Sequence, residues 1–256
     1  MIEVKNLKKS FSSNEILKGV NTSFESGQTT LIIGGSGAGK TVLLKCLIGL
    51  EKPTSGDIIY NGLSLGAMDS FEQQELRKKI GVGFQGGALF DFLDVKGNIQ
   101  FPLDMFTNLT RIEKEIRVKQ VLERVNLPHA KDKMPNELSG GMKKRVSIAR
   151  AIVNNPDFLF FDEPNSGLDP TTSVLIDKLI QEITQEYKTI TVINTHDMNS
   201  VLEIGEKIVF LKDGILEWEG NNKDILYTPN EYVGNFVYSS ELFKNLRKNL
   251  INKGKT

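Results

Sequence analysis

Eight residues constrain this chain more than any other feature: Gly34-Gly35-Ser36-Gly37-Ala38-Gly39-Lys40-Thr41. They fit the pattern G-x-x-x-x-G-K-[ST], and their flanks fit its physical context. The β-branched, apolar run Thr29 to Ile33 predicts a strand before the loop, and Thr41 to Leu50 predicts a helix after it. Glycines in such a loop let backbone N–H groups curl around an anion, and the helix N-terminus adds partial positive charge. Lys40 is placed to reach the outer phosphates of a nucleotide, and Thr41 to ligate Mg²⁺. A chain with this element must build a parallel α/β core around it.

The rest of the chain agrees with that core. Ile80 to Phe84, Phe158 to Phe161, Thr189 to Thr195 and Ile208 to Leu211 read as further strands. The continuous apolar run Phe158 to Phe161 suits a parallel strand buried on both faces. Helical spacing appears over about 70–79, about 110–126, Ser139 to Val153 and Val174 to Gln185, with a further helix starting at Ser200. Short strands at Ile2 to Val4, Val20 to Phe24 and Ile58 to Tyr60 are divided by Ser26-Gly27, Ser55-Gly56 and Asn61-Gly62. Ile215 to Trp218 pairs back on Ile208 to Leu211 across Asp213-Gly214. Strands alternating with helices imply a mostly parallel sheet. The stretch about 87–155 is almost all helical and predicts an inserted helical subdomain.

Composition excludes several classes. Over 256 residues, 32 basic and 32 acidic side chains give zero formal net charge, which argues against a general nucleic-acid binder. One cysteine excludes an internal disulfide framework. Cys46 reads as a core thiol. The N-terminus lacks the apolar core of a signal peptide, and no run approaches the ~18 apolar residues of a membrane span. The chain is therefore expected to meet a membrane only through a partner.

Two further motifs carry chemistry. Asp162-Glu163 follow the buried run, at the strand end where α/β sheets bind ligands. Asp162 suits a Mg²⁺ ligand, and Glu163 a base that polarises an attacking water. Leu138-Ser139-Gly140-Gly141-Met142 precedes a helix, with Ser139 a good N-cap and two glycines exposing backbone N–H groups, a second anion site.

With these motifs in this order, the chain resembles the ATP-binding cassette family over nearly its whole length, from Ile2 to about Phe236. The resemblance implies a P-loop NTPase core with a mostly parallel sheet, an N-terminal antiparallel β subdomain and the helical insert. It places Phe11 on the adenine and Gln85 on Mg²⁺ and water, sensing a transmembrane partner. Leu138 to Met142 resembles the family signature, with Met142 where the family usually has Gln, and Ser139, Gly140 and Gly141 facing phosphate. Ser166-Gly167-Leu168-Asp169 resembles the loop that meets its twin across a dimer. His196 resembles the switch histidine that clasps the γ-phosphate. The implied cofactors are ATP and Mg²⁺.

One phosphate loop and one signature per chain imply a head-to-tail pair with two-fold symmetry. The implied partners are a second copy and transmembrane permease subunits, at the cytoplasmic face of the inner membrane. Phe84-Gln85-Gly86-Gly87-Ala88-Leu89-Phe90, Asn98, Pro102-Leu103 and the Met-ended signature further resemble the ATPase subunit of Mla/Mce-type phospholipid transporters. That finer resemblance implies lipid cargo, an anchored Mce-type lipid-binding protein and a small ATPase-bound partner. The alternatives are another ABC importer or exporter, or a soluble cassette ATPase acting on ribosomes or DNA. Beyond Phe236, Leu242, Phe243, Leu246, Leu250 and Ile251 recur at helical spacing among basic residues, so 237–256 reads as a basic amphipathic tail.

Overall fold

The computed structural model describes residues 1–238. The tail residues Leu242 to Ile251 lie outside the described residues. Near the N-terminus, β1 (Ile2–Phe11) pairs antiparallel with β2 (Asn14–Phe24) and with β4 (Ser55–Tyr60), and β4 pairs with β5 (Leu63–Ser64), giving the order β2-β1-β4-β5. β1 and β2 run well beyond the short strands expected at Ile2 to Val4 and Val20 to Phe24. Their turn is Ser12-Ser13, which carries neither Gly nor Pro, with Ser12 at φ 53°. The Asn61-Gly62 turn has both residues at positive φ, the geometry that matches strand twist in a tight hairpin.

The second sheet holds six strands in the order β10-β9-β3-β8-β7-β6: β10 (Ile215–Gly220), β9 (Lys207–Lys212), β3 (Thr29–Ile33), β8 (Ile190–Asn194), β7 (Phe158–Asp162) and β6 (Ile80–Gly83). Every pairing is parallel except that of the edge strand β10. Side chains alternate between two cores. Leu31, Ile33, Leu159, Phe161, Ile193 and Phe210 face one, and Ile32, Phe158, Phe160, Val192 and Val209 the other. Both faces are therefore covered, which explains why β7 is an unbroken apolar run.

The second of those cores is closed by α1 (Lys40–Leu47) and the antiparallel sheet. Helix α1 ends earlier than the expected Leu50 because Gly49 takes φ 73° and breaks the turn. The first core is closed by α5 (Gly140–Ile152), α6 (Pro170–Tyr187) and α7 (Met198–Ile204). Between β6 and β7 the chain forms α3 (Val95–Phe106), α4 (Arg111–Arg124) and α5, joined through Ile99, Leu103, Val121, Leu122 and Val146. Helix α3 contains Pro102, which obscures it in the sequence; Asp94 caps it by accepting from Gly97 N. Residues 87–94, expected to open the helical stretch, are instead a turn segment. Two further helices, α2 (Ser70–Lys78) and α8 (Glu231–Val237), flank the sheets.

Candidate functional site

The sheet order decides what meets. The phosphate loop follows β3, His196 follows β8, Asp162 and Glu163 end β7, and Gln85 follows β6. These four strands are neighbours and run parallel, so all of these residues fall on one rim.

Gly34 leaves β3 at φ 146°, and a Cβ built there would stand 2.1 Å from the Leu211 carbonyl oxygen; only glycine fits. A Cβ on Gly35 meets nothing within 4 Å, so the loop is open on that side. Ser36 and Gly37 are exposed, Ala38 is buried, and Gly39 is the N-cap of α1. Thr41 is exposed in the first turn. The Lys40 ammonium folds back over the loop and donates to the carbonyls of Gly34 (2.8 Å) and Gly35 (3.1 Å). Burial lowers the Lys40 pKa, an effect opposed by the charges of Glu163 and Asp162.

The carboxylate pair is held in detail. Asp162 Oδ1 accepts from Asn194 Nδ2 at 3.1 Å, and Asp162 and Asn194 face each other in register. Glu163 sits at φ 51°, a region costly for a residue with a Cβ. Its N–H donates to Asn194 O (3.0 Å), and its carbonyl accepts from Lys144 Nζ (3.2 Å). Its Oε1 lies 2.8 Å from His196 Nδ1.

The residues fit the implied group. Glu163 Oε2 and Asn194 Oδ1 are buried acceptors with no protein partner, and such atoms call for a water, an ion or a ligand. Asp162 and Thr41 offer hard oxygen donors. That suits Mg²⁺, which takes one or two protein oxygens and completes its shell with phosphate and water.

The other expected site residues stand elsewhere. Ser139 caps α5, its Oγ accepting from Met142 N at 3.3 Å, and the neighbours of Gly140 and Gly141 are Leu168 and Thr172. Met142 leans on the core beneath α5, which gives this departure from the family pattern a packing role. Asp169 caps α6, accepting from Thr172 N (3.0 Å) and Thr172 Oγ1 (2.6 Å); these bonds hold its carboxyl below the usual range. Gln85 is exposed. Phe11 is 43% exposed at the tip of β1, with Lys9 Nζ 4.6 Å from its ring centre, so it is no core residue.

Sequence reasoning missed Asn194, Lys144, Asn165, Asp177 and Ser200. A polar residue ending an apolar strand was the available signal for Asn194.

Residues 17–166 match the family model for the ABC transporter. The chain belongs to the ABC transporter ATPase family. It is 36% identical to the methionine import ATP-binding protein MetN 1 of Bacillus cereus, over 99% of this chain and 75% of that protein. It is 41% identical to the methionine import ATP-binding protein MetN of Carboxydothermus hydrogenoformans, over 94% of this chain and 74% of that protein. Among solved structures it is similar to the dimeric, post-hydrolysis state of the cassette MJ0796 bound to ADP and Pi, with TM-score 0.78 and 32% identity, covering 87% of this chain and 99% of that one. This cassette is thus an ATP hydrolase of the ABC type. Cassettes of the family dimerise and work with transmembrane permease subunits. Among the described residues no helix is long and apolar enough to cross a membrane. The curated relatives are named for methionine import, so the expected phospholipid cargo and Mce-type partner find no support in them.

Proposed function

We propose that this chain is the ATP-binding subunit of an ABC importer, acting as a head-to-tail pair at the cytoplasmic face of the membrane. The observation that carries the pairing is the exposure of Ser139 and Gly140 at the start of α5, together with the exposure of Gly35 in the phosphate loop. Ser139 caps α5, Gly140 and Gly141 lie beside Leu168 and Thr172, and the open side of Gly35 is free for a second copy to cover. Asp169 sits in the same neighbourhood, so one copy's signature and loop meet the other copy's phosphate loop.

Within each composite site, Gly34 to Thr41 cradle the phosphates, with Lys40 turning from its carbonyl partners to the outer ones. Thr41, Asp162 and Gln85 are the residues that would hold Mg²⁺, which would supply neutralising charge to the phosphates. Glu163 orients and deprotonates the attacking water, and His196 keeps Glu163 in place while reaching the γ-phosphate. Phe11 stacks on the adenine. Closure is favoured while ATP bridges the copies and lost after hydrolysis. Exposed Phe84, next to Gln85 in the chain, and exposed Phe92, Phe101 and Met105 in the segment that follows supply an apolar surface for a permease helix.

The names of the relatives favour import of a small solute such as methionine. Phospholipid transport is the second reading, and one observation favours it. Asn98 is fully buried and clips the segment after Gln85, accepting from Phe90 N (2.8 Å) and donating to the carbonyls of Phe90, Leu93 and Asp94 (3.0 Å each). Of these residues, Phe90 and Asn98 belong to the set that carries the resemblance to lipid transporters. The two readings separate on the complex purified from native membranes in mild detergent. A methionine-stimulated ATPase supports the first; co-purified phospholipid and lipid-stimulated turnover supports the second.

A further inference from the structure

The paired register of β7 and β8 ends at Asp162 and Asn194, and side chains join the segments from there on. Asn194 bonds Asp162, and His196 bonds Glu163. The next rung joins Asn165 to Asp197 (3.5 Å) and to Ser200 Oγ (2.8 Å). This last rung is buried: Asn165 is 4% exposed, Ser200 1% and Asp177 3%. Asp177, reaching in from α6, is its hub. Its carboxylate accepts from Ser200 Oγ at 2.7 Å and from Asn165 Nδ2 at 3.3 and 3.4 Å.

We propose that Asp177 is a positioning residue for hydrolysis, which through Asn165 and Ser200 fixes the loop after Glu163 and the loop around His196 as one unit. Three segments converge on it. Asn165 lies two residues after Glu163 and four before Asp169. Asp197 follows His196, and Ser200 anchors the first turn of α7. A carboxylate with two acceptor oxygens can hold both donors at once, which no apolar residue of the same size can do. Burying it is costly, because burial opposes its ionised form. Its hydrogen bonds therefore serve geometry: they fix the Glu163 to His196 spacing and the orientation of Asp169 toward a second copy. Displacement of reacting groups by about 1 Å costs up to ~100-fold in rate.

The inference rests on Glu163 and His196 as the hydrolytic pair, and the controls keep the two apart. ATP turnover and thermal unfolding are measured at pH 8 for the full chain, for Asp177→Asn and for Asp177→Ala. Glu163→Gln serves as a site control. Asp177→Asn keeps the shape and one acceptor, and relieves the cost of a buried charge. Its expected result is kcat lowered about fivefold, KM for ATP within about twofold, and Tm unchanged or higher. Asp177→Ala is expected to lower kcat further, by about 50-fold, with KM again near the native value. Native kcat in both variants overturns the proposal, as does a fall in kcat that tracks a fall in Tm, or an Asp177→Asn chain that does not fold. Native turnover in Glu163→Gln overturns instead the assignment of the hydrolytic pair.

Discussion

Nδ1 of His196 lies 2.8 Å from Oε1 of Glu163, across the ends of two neighbouring parallel strands. The imidazole is 69% exposed and the carboxylate 14%, so the histidine reaches in from the open side. His196→Ala should lower kcat about 100-fold while nucleotide affinity stays within a few fold, because the phosphate loop is untouched. Steady-state turnover beside calorimetric binding checks this; equal losses in both would remove His196 from the chemical step.

Gly34 and Gly35 should separate fold from function. Gly34→Ala forces a Cβ onto Leu211 O and should destabilise the chain by several kcal/mol. Gly35→Ala meets open space, so its Tm should stay native while ATP affinity drops, since the added methyl enters the anion's path. Thermal melts with and without ATP distinguish the two.

Lys40→Ala should weaken ATP binding at least tenfold. The same change removes the ammonium that bridges Gly34 O and Gly35 O, and a given ATP concentration should raise the Tm less than in the native chain. An undiminished thermal shift with ATP would contradict the role given to Lys40.

How much of this was legible beforehand differs by element. The phosphate loop, the Phe158 to Asp162 strand and the Ser139 cap each depend on local residue types, and the sequence carried them plainly. Strand β1 looks short in the sequence because Lys5, Asn6, Lys8 and Lys9 mask a strand whose inner face is only Ile2, Val4, Leu7 and Lys9. Helix α3 was hidden by Pro102. The Asn165, Asp177 and Ser200 network was invisible because its members are up to 35 positions apart and meet only after α6 and α7 have packed. The strained φ of Glu163 is equally hidden, being held by the bond its N–H donates to Asn194 O and the bond its carbonyl accepts from Lys144 Nζ.

Burial pushes the Asp177 carboxyl up to about 6; bonds from Ser200 and Asn165 pull it down, and the nearby charges of Asp197 and Glu203 push it up. Between its unfolded value near 4 and about 6, the folded chain holds this proton more tightly than the unfolded chain does. Stability from this group is therefore greatest below about pH 4, declines as pH rises to about 6, and stays lost above it. Asp177→Asn should accordingly raise stability at pH 8, on the order of 2 kcal/mol, with no gain at pH 4. Denaturant melts at the two pH values check the sign.

Phe158 stands edge-on to Tyr60 with ring centres 4.9 Å apart, tying the two sheets together; burial drives the Tyr60 phenol pKa upward, and its O–H donates to Leu47 O. Phe158→Ala should cost about 3–5 kcal/mol, measured by urea unfolding.

The composite site is tested most directly by sedimentation velocity on Glu163→Gln with Mg²⁺ and ATP. Without its base the chain should bind ATP and accumulate as a closed dimer, and adding Ser139→Arg to the same chain should return it to monomer. A Glu163→Gln chain that stays monomeric at saturating ATP, or a dimer indifferent to Ser139→Arg, would contradict the head-to-tail account.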